Sequence, residues 1–255
     1  MSQDSLAAQP ARRTALITGG GSGIGRASAV ALAAGGMDVL VIGRREQSLR
    51  DTADLHPGIR YLVGDITEAA DVAAAVRVAA AAHDRIDVVV NNAGIINPAP
   101  LEKIEEGAAL AVWRTNVLAP TLLAKAALPY LLRTRGVIIN VSSTFGGKPA
   151  PGVSQYGASK AALEQLTRSW AVELADRGVR VNAVAPGPTE SGALRGAGVS
   201  PEVIEQLKAE ERSLIPLGRR GEPEDVARWV VAFADPAADW VTGQVLGVDG
   251  GYRLV

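Results

Sequence analysis

A doubly wound α/β fold, a single domain with a parallel seven-stranded sheet and helices on both faces, is predicted by two observations. Short apolar runs alternate with alanine-rich helical stretches from Ala15 to Val248, as strands covered on both faces require. The first of these runs passes straight into a glycine-rich turn, Gly19 to Gly25, that opens a helix.

Taken in order, the apolar runs predict strands at 15–18, 39–43, 60–63, 88–91, 137–141, 180–185 and 245–248. The stretches between them predict helices at 25–34, 47–55, 69–82, 107–132, 155–176 and 223–234. Pro10 and its polar neighbours make residues 1–12 a loose tail, which leaves 13–255 as the domain. No linker divides that span, and no repeat of solenoid period is present. One segment breaks the rhythm. After Pro186 the chain runs through glycines, prolines and a short amphipathic piece where a simple turn would suffice. It leaves the carboxyl edge of the sheet, where doubly wound folds bind ligands, so residues 188–217 or thereabouts are expected to form a substrate lid. Within the window 107–132, Pro120 cannot donate to the carbonyl of Asn116 four positions back. A local kink is expected there, with that carbonyl free to bind a water directed toward Lys160.

Composition narrows the function. The 255 residues carry a formal net charge of -1 and no run of like charge, which argues against nucleic acid as a partner. There are no cysteines, and the two histidines, His56 and His83, sit in polar surroundings, so no metal site is expected. No apolar stretch approaches the ~20 residues of a membrane span, and the reading is a soluble, cytoplasmic protein without a membrane partner.

Two constellations carry chemistry. Tyr156 and Lys160 stand four apart in a helical window, on one face and about 6 Å apart along the axis. A cation there favours the phenolate, bringing a tyrosine of ordinary pKa near ~10 into use as an acid or base. The second is the turn Thr18-Gly19-Gly20-Gly21-Ser22-Gly23-Ile24-Gly25. Its glycines let the backbone approach a pyrophosphate, whose charge is met by the helix N-terminus. At the end of the second strand, Arg44 follows Gly43 where an acid would bind a ribose 2′-OH. An arginine there suits a 2′-phosphate, favouring NADP(H), with NAD(H) possible because Ser22 adds no second cation. Asp65, after the third strand, suits either an adenine amino group or a helix cap.

Read together and in order, the glycine turn, Asn91-Asn92-Ala93-Gly94, Asn116, Ser143, Tyr156, Lys160 and Pro186-Gly187 resemble the short-chain dehydrogenase/reductase family, whose fold is Rossmann-type. The resemblance covers nearly everything after the tail. It implies Tyr156 as general acid or base, Lys160 lowering its pKa and bonding the nicotinamide ribose, Ser143 bonding the substrate oxygen, and Asn116 holding a water. It implies cofactor contacts from Thr18, Gly19, Ser22, Gly23, Ile24, Gly25, Arg44, Asp65, Ile66, Asn92, Ala93, Gly94, Pro186, Gly187 and Thr189, with Ser191 replacing a common threonine. The implied activity is hydride transfer between a nicotinamide and a small ketone or secondary alcohol, in a homotetramer. Trp113, Leu122 and Leu166 in alanine-rich helices add apolar surface that suits such an assembly.

Two other functions compete. A 3-oxoacyl-acyl-carrier-protein reductase would use Arg133, Arg135 and Arg177 as docking cations. A non-catalytic dinucleotide-binding sensor would need no acid over the nicotinamide, so the set Asn116, Ser143, Tyr156 and Lys160 speaks against it. The substrate pocket is expected to be lined by Phe145, Pro149, Val153, Pro188 and lid residues such as Leu194, with Lys148 nearby either greeting an anionic group or facing solvent.

Overall fold

The structure, a computed structural model, describes residues 12–190 and 200–255. Apart from Arg12 the expected tail lies outside the described residues, as do positions 191–199 of the expected lid with Ser191 and Leu194.

Seven strands form one parallel sheet in the order β3-β2-β1-β4-β5-β6-β7. They are β1 (Thr14–Thr18), β2 (Asp38–Gly43), β3 (Ile59–Val63), β4 (Val88–Asn91), β5 (Val137–Val141), β6 (Arg180–Pro186) and β7 (Val245–Val248). Successive side chains of a strand point to opposite faces, and here both faces are apolar. Leu16, Leu40, Ile42, Val89, Ile138 and Val181 enter one core. Ala15, Ile17, Val39, Val41, Val88 and Ile139 enter the other. This explains why the strands read as continuous apolar runs.

The helices are α1 (Gly23–Ala34), α2 (Glu46–Ala53), α3 (Ala69–Ala80), α4 (Glu106–Trp113), α5 (Ala119–Thr134), α6 (Ser154–Leu174), α7 (Pro201–Leu214) and α8 (Pro223–Ala234). The first core is closed by α3, α5 and α6, and the second by α1, α2 and α8. Strand order reverses between β1 and β4, opening the crevice where such sheets take ligands.

The single helix expected at 107–132 is corrected. A π-helical turn at Arg114–Leu118 separates α4 from α5. Pro120 has no N–H for the carbonyl of Asn116, so the coil widens, and the Ala119 N–H reaches back five residues to the Arg114 carbonyl.

A buried polar chain seats α6 on the sheet. Asn91 donates through Nδ2 to Asn140 Oδ1 at 2.8 Å, and Asn140 donates through Nδ2 to Thr167 Oγ1 at 2.8 Å. All three residues are buried. Truncating Asn140 leaves the Asn91 amide without its acceptor, and an unmet buried donor costs more than the bond contributed. Asn140→Ala is therefore expected to lower the unfolding free energy by about 2–3 kcal/mol in a urea titration. A loss below about 0.5 kcal/mol would mean that the chain carries no weight.

Candidate active site

The crevice begins at the glycine turn after β1. Gly19 and Gly23 take φ of +66° and +50°, a region that disfavours side chains. A Cβ on Gly25 would stand 2.4 Å from the Gly19 carbonyl oxygen, so the turn closes only without one. Ser22 ends the turn as the N-cap of α1, yet its side chain bonds no backbone N–H, and no acid stands in the helix's first turn. The leading N–H groups and the positive end of the helix are thus left to an outside anion. This cradle fits the pyrophosphate of a dinucleotide. The turn is held from β4: Thr18 Oγ1 accepts from the N–H groups of Asn92 and Ala93 at 3.0 Å each, and Asn92 Nδ2 donates to the carbonyls of Thr18 and Gly19.

Farther along the same carboxyl edge, Arg44 is exposed just past β2 and no hydrogen bond ties it down among the described residues. Asp65 follows β3. Its Oδ1 accepts from both the N–H and the hydroxyl of Thr67, at 2.9 and 2.8 Å, so it braces a turn ahead of α3 rather than capping that helix. The Thr67 N–H, and more weakly the charge of Arg44, hold the Asp65 carboxyl below its ordinary range. Ile66 is buried in the first core.

Past the switch point lies a cavity of about 230 Å³. Ile24, Asn92, Gly94, Ser143, Tyr156, Lys160, Pro186, Gly187 and Thr189 all line it, so residues far apart in sequence meet in one place. Ser143 follows β5 and caps a short 3-10 turn, accepting from the Phe145 N–H at 3.2 Å. Tyr156 and Lys160 stand on successive turns of α6, with Nζ 5.7 Å from the phenol ring centre. Lys160 is buried and donates to the Val141 carbonyl at 2.8 Å. Burial pushes the Tyr156 phenol above its ordinary pKa, and the hydrogen bond with Ser143 offsets part of that rise. The lowering implied for Lys160 is not among the influences on the phenol, whose protonated form burial favours.

Asn116 does not line the cavity. Fully buried on the π turn, its amide exchanges two bonds of 2.9 Å with the backbone of Ile95 and donates to Ser159 Oγ at 3.0 Å. It therefore ties the chain after Gly94 to α6 between Tyr156 and Lys160. The pattern of π turn and Ser159 contact could not be read from residue spacing.

Of the expected pocket lining, Phe145 and Pro188 are present, while Pro149 and Val153 do not line the cavity. The 3-10 turn at Thr144–Gly146 brings Phe145 inward and carries the following residues outward. Lys148 does not line it either. Its ammonium donates to the backbone oxygens of Tyr252 and Val255 and lies 4.7 Å from the Tyr252 ring centre. Not singled out in the sequence were Ile95, Arg220 and Tyr252, while Ile204, Lys208 and Glu211 fall within the expected lid segment. Only Tyr252 shows an aromatic signal, and its edge-on contact with Phe145 at 6.4 Å depends on the closing turn of the chain.

Similarity to known proteins agrees with this geometry. A family model described as enoyl-(acyl carrier protein) reductase matches residues 19–253. The 3-oxoacyl-[acyl-carrier-protein] reductase FabG of Thermotoga maritima is 37% identical over 94% of this chain and 97% of its own. The cis-4-hydroxycyclohexanecarboxylate dehydrogenase of Sinomonas cyclohexanicum is 39% identical over 96% of this chain and 98% of its own. Among solved structures, the 3-ketoacyl-(acyl-carrier-protein) reductase of Brucella melitensis, complexed with NADH, superposes with a TM-score of 0.86 at 31% identity, covering 94% of this chain and 98% of that one.

Burial has a cost that can be measured. It pulls the Lys160 ammonium from 10.5 down to about 8. A base whose folded pKa is depressed binds fewer protons when folded, so it costs stability below about 8, and the cost fades as pH rises toward 10.5. At neutral pH that cost is on the order of 3 kcal/mol, against roughly 1–2 kcal/mol for the bond to Val141. Lys160→Met is expected to raise the Tm of the cofactor-free protein at neutral pH, by an amount that shrinks from about pH 8 to about pH 10. Calorimetry across that range checks it. A variant melting below the wild type at neutral pH would contradict the account.

Proposed function

The chain belongs to the short-chain dehydrogenase/reductase family, oxidoreductases acting on alcohol and ketone groups with a nicotinamide cofactor, and on that premise we propose that Tyr156 is its acid and base and NADP(H) its preferred cofactor. The observation that carries the reading is the pairing of Tyr156 with Ser143 inside the cavity, with Lys160 buried one turn away. A bound nicotinamide supplies or accepts the hydride.

The chain's own residues do the rest. Ser143 and Tyr156 donate to the substrate oxygen, stabilising the negative charge that develops when a ketone is reduced, and Tyr156 passes its proton to that oxygen. In oxidation the Tyr156 phenolate receives the proton of the alcohol, and in both directions the Lys160 ammonium favours the phenolate form. Lys160 also bonds the nicotinamide ribose, and the Asn116 carbonyl, which Pro120 cannot bond, holds a water leading from Lys160 to solvent. Thr18, Gly19, Ser22, Gly23, Ile24 and Gly25 hold the pyrophosphate, Asp65 and Ile66 the adenine, and Asn92, Ala93, Gly94, Pro186, Gly187 and Thr189 the nicotinamide end. Residues 188–217 act as the substrate lid. A cytoplasmic location is part of the proposal; no helix among the described residues is long and apolar enough to cross a membrane.

A narrower reading, reduction of a 3-oxoacyl thioester on an acyl carrier protein, draws support from the relatives that bear that name. Its proposed docking cations are partly engaged: Arg133 pairs with Asp84 at 3.2 Å and Arg177 with Asp176 at 3.9 Å. A general ketone or alcohol substrate remains the better-supported proposal.

Tyr156→Phe is expected to lower kcat for ketone reduction by at least about a hundredfold while cofactor Kd changes little, because only the proton donor is lost. Retained turnover would place the acid elsewhere.

Cofactor choice rests on Arg44, exposed beside Gly43 with no acid at the strand end. NADPH is expected to exceed NADH in kcat/KM, and Arg44→Asp to reverse the preference by removing the phosphate's partner and adding a like charge. A wild-type advantage for NADH would overturn this and favour NAD(H).

A homotetramer is the proposed assembly. Leu101, Leu110, Trp113, Leu118 and Val172 are exposed, and Trp240 is 98% exposed shortly before β7. Light scattering is expected to give the mass of four chains of 26.3 kDa, and a monomer at micromolar concentration would refute it.

A further inference from the structure

Two adjacent arginines follow α7, and they do different things. Arg219 is exposed and pairs with Asp225 at the start of α8, reinforcing that helix's capping box. Arg220 turns inward, and its side chain is only 7% exposed. Its Nε donates to Glu190 at 2.8 Å, its Nη2 donates to the Thr189 carbonyl at 2.7 Å, and its Nη1 pairs with Glu211.

Glu211 belongs to α7, as do Ile204 and Lys208, and this spacing of four and three puts them on one helix face. That face lines the cavity. Ile204 is the one buried side chain of α7, so the helix has little apolar seat of its own. Beyond that, with Leu207 half-buried and Ile215 buried at the C-cap, the hold on the cavity face is ionic: Lys208 pairs with Glu190 at 2.8 Å, and Arg220 joins Glu190 to Glu211. Burial alone would raise the Glu190 pKa, but its bonds to Lys208 and Arg220 bring it below the ordinary range, so the carboxylate stays charged.

We infer that Arg220 is a positioning residue: one buried guanidinium pins α7 to the chain leaving β6 and so sets the separation between Thr189 and the cavity wall that faces it. The inference rests on the proposed reading of this cavity as the substrate site. Without Arg220, Glu190 and Glu211 face each other with only Lys208 between, and like charges so placed repel. The wall then swings outward while the sheet edge that carries Ser143 and Tyr156 stays put.

Amide hydrogen exchange on the cofactor-free protein tests the inference directly. Arg220→Met is expected to speed exchange over 201–214 by at least about tenfold, leaving β1, β4 and β5 unchanged. Glu211→Gln, which frees only the helix side of the joint, is expected to do the same to a smaller degree, and decides the matter if Arg220→Met fails to fold. Arg219→Met serves as the neighbouring control and is expected to leave exchange over 201–214 unaltered. In steady-state kinetics with NADPH and a ketone turned over by the wild type, Arg220→Met is expected to raise KM at least about tenfold with a smaller fall in kcat, and Arg220→Lys to restore part of the loss.

Unchanged exchange over 201–214 in the folded variants overturns the inference. So does faster exchange spread over the whole sheet, which would make Arg220 a general stability residue. If the wild type turns over no ketone, the proposed function fails, and the exchange result still decides whether Arg220 holds the wall.

Discussion

The site depends on how α6 is seated on β5. Lys160, Glu164 and Thr167 lie on one face of the helix, and each meets one of three consecutive residues at the end of the strand. Thr167 takes the bond from Asn140, Lys160 donates to the Val141 carbonyl, and Glu164 accepts from Ser142 at 2.9 Å. Strand alternation makes this possible: Asn140 and Ser142 turn their side chains to the helix while Val141 enters the opposite core and offers its backbone oxygen. An apolar seat alone would permit small slides of one element over the other, whereas directional bonds at three successive points allow one register. Tyr156 then falls beside Ser143 because both are carried by the same joint.

That precision is achieved with groups that resist burial. An ammonium and a carboxylate, Lys160 and Glu164, sit at the interface instead of leucines, and Arg168 stands 3.6 Å from Glu164 as partial compensation. A buried cation without a carboxylate beside it is held by the fold against its own solvation. Such a residue is explained poorly by stability and well by a need for positive charge next to a phenol. The stability given up at Lys160 is small against what the two cores bury: Leu16, Leu40, Ile138 and Ile139 alone, fully buried, contribute roughly 2 kcal/mol each.

The sheet was largely legible because a parallel strand buried on both faces must be apolar throughout. The windows at 88–91, 137–141 and 245–248 coincide with β4, β5 and β7, and the other strands differ by a residue at an end. Helix 223–234 was equally plain, with Pro223 opening it. The window 107–132 misled because nothing in Arg114–Leu118 breaks a helix between two alanine-rich stretches, and only the geometry shows that the missing proline N–H is absorbed by a wider coil. Ser143, Tyr156, Lys160, Pro186 and Gly187, picked out by an ordered motif, line the cavity, whereas Ile95, Arg220 and Tyr252 line it without having been picked out. Arg220 reads as one of a surface pair, and nothing in its neighbourhood tells which arginine turns inward.

The two walls of the cavity are built on different physics. The wall with Ser143, Tyr156 and Lys160 rests on β5, which is wholly buried, and on the three bonds that fix α6 against it. The facing wall rests on α7, which buries Ile204 and otherwise holds on through ion pairs with solvent nearby. Core packing is stiff and transmits strain, whereas a wall held largely by a few ion pairs keeps its place only while each partner is present. Substitutions on α7 can therefore reshape what the cavity admits without disturbing the distance from Tyr156 to Ser143. The segment that joins the walls is Pro186 to Glu190. It continues β6, accepts the Arg220 bond at Thr189, and so receives the rigidity of the sheet at one end and the state of α7 at the other. A change in the helical wall can reach the sheet edge through that short stretch, where Thr189 donates to the Gly187 carbonyl and accepts from Arg220.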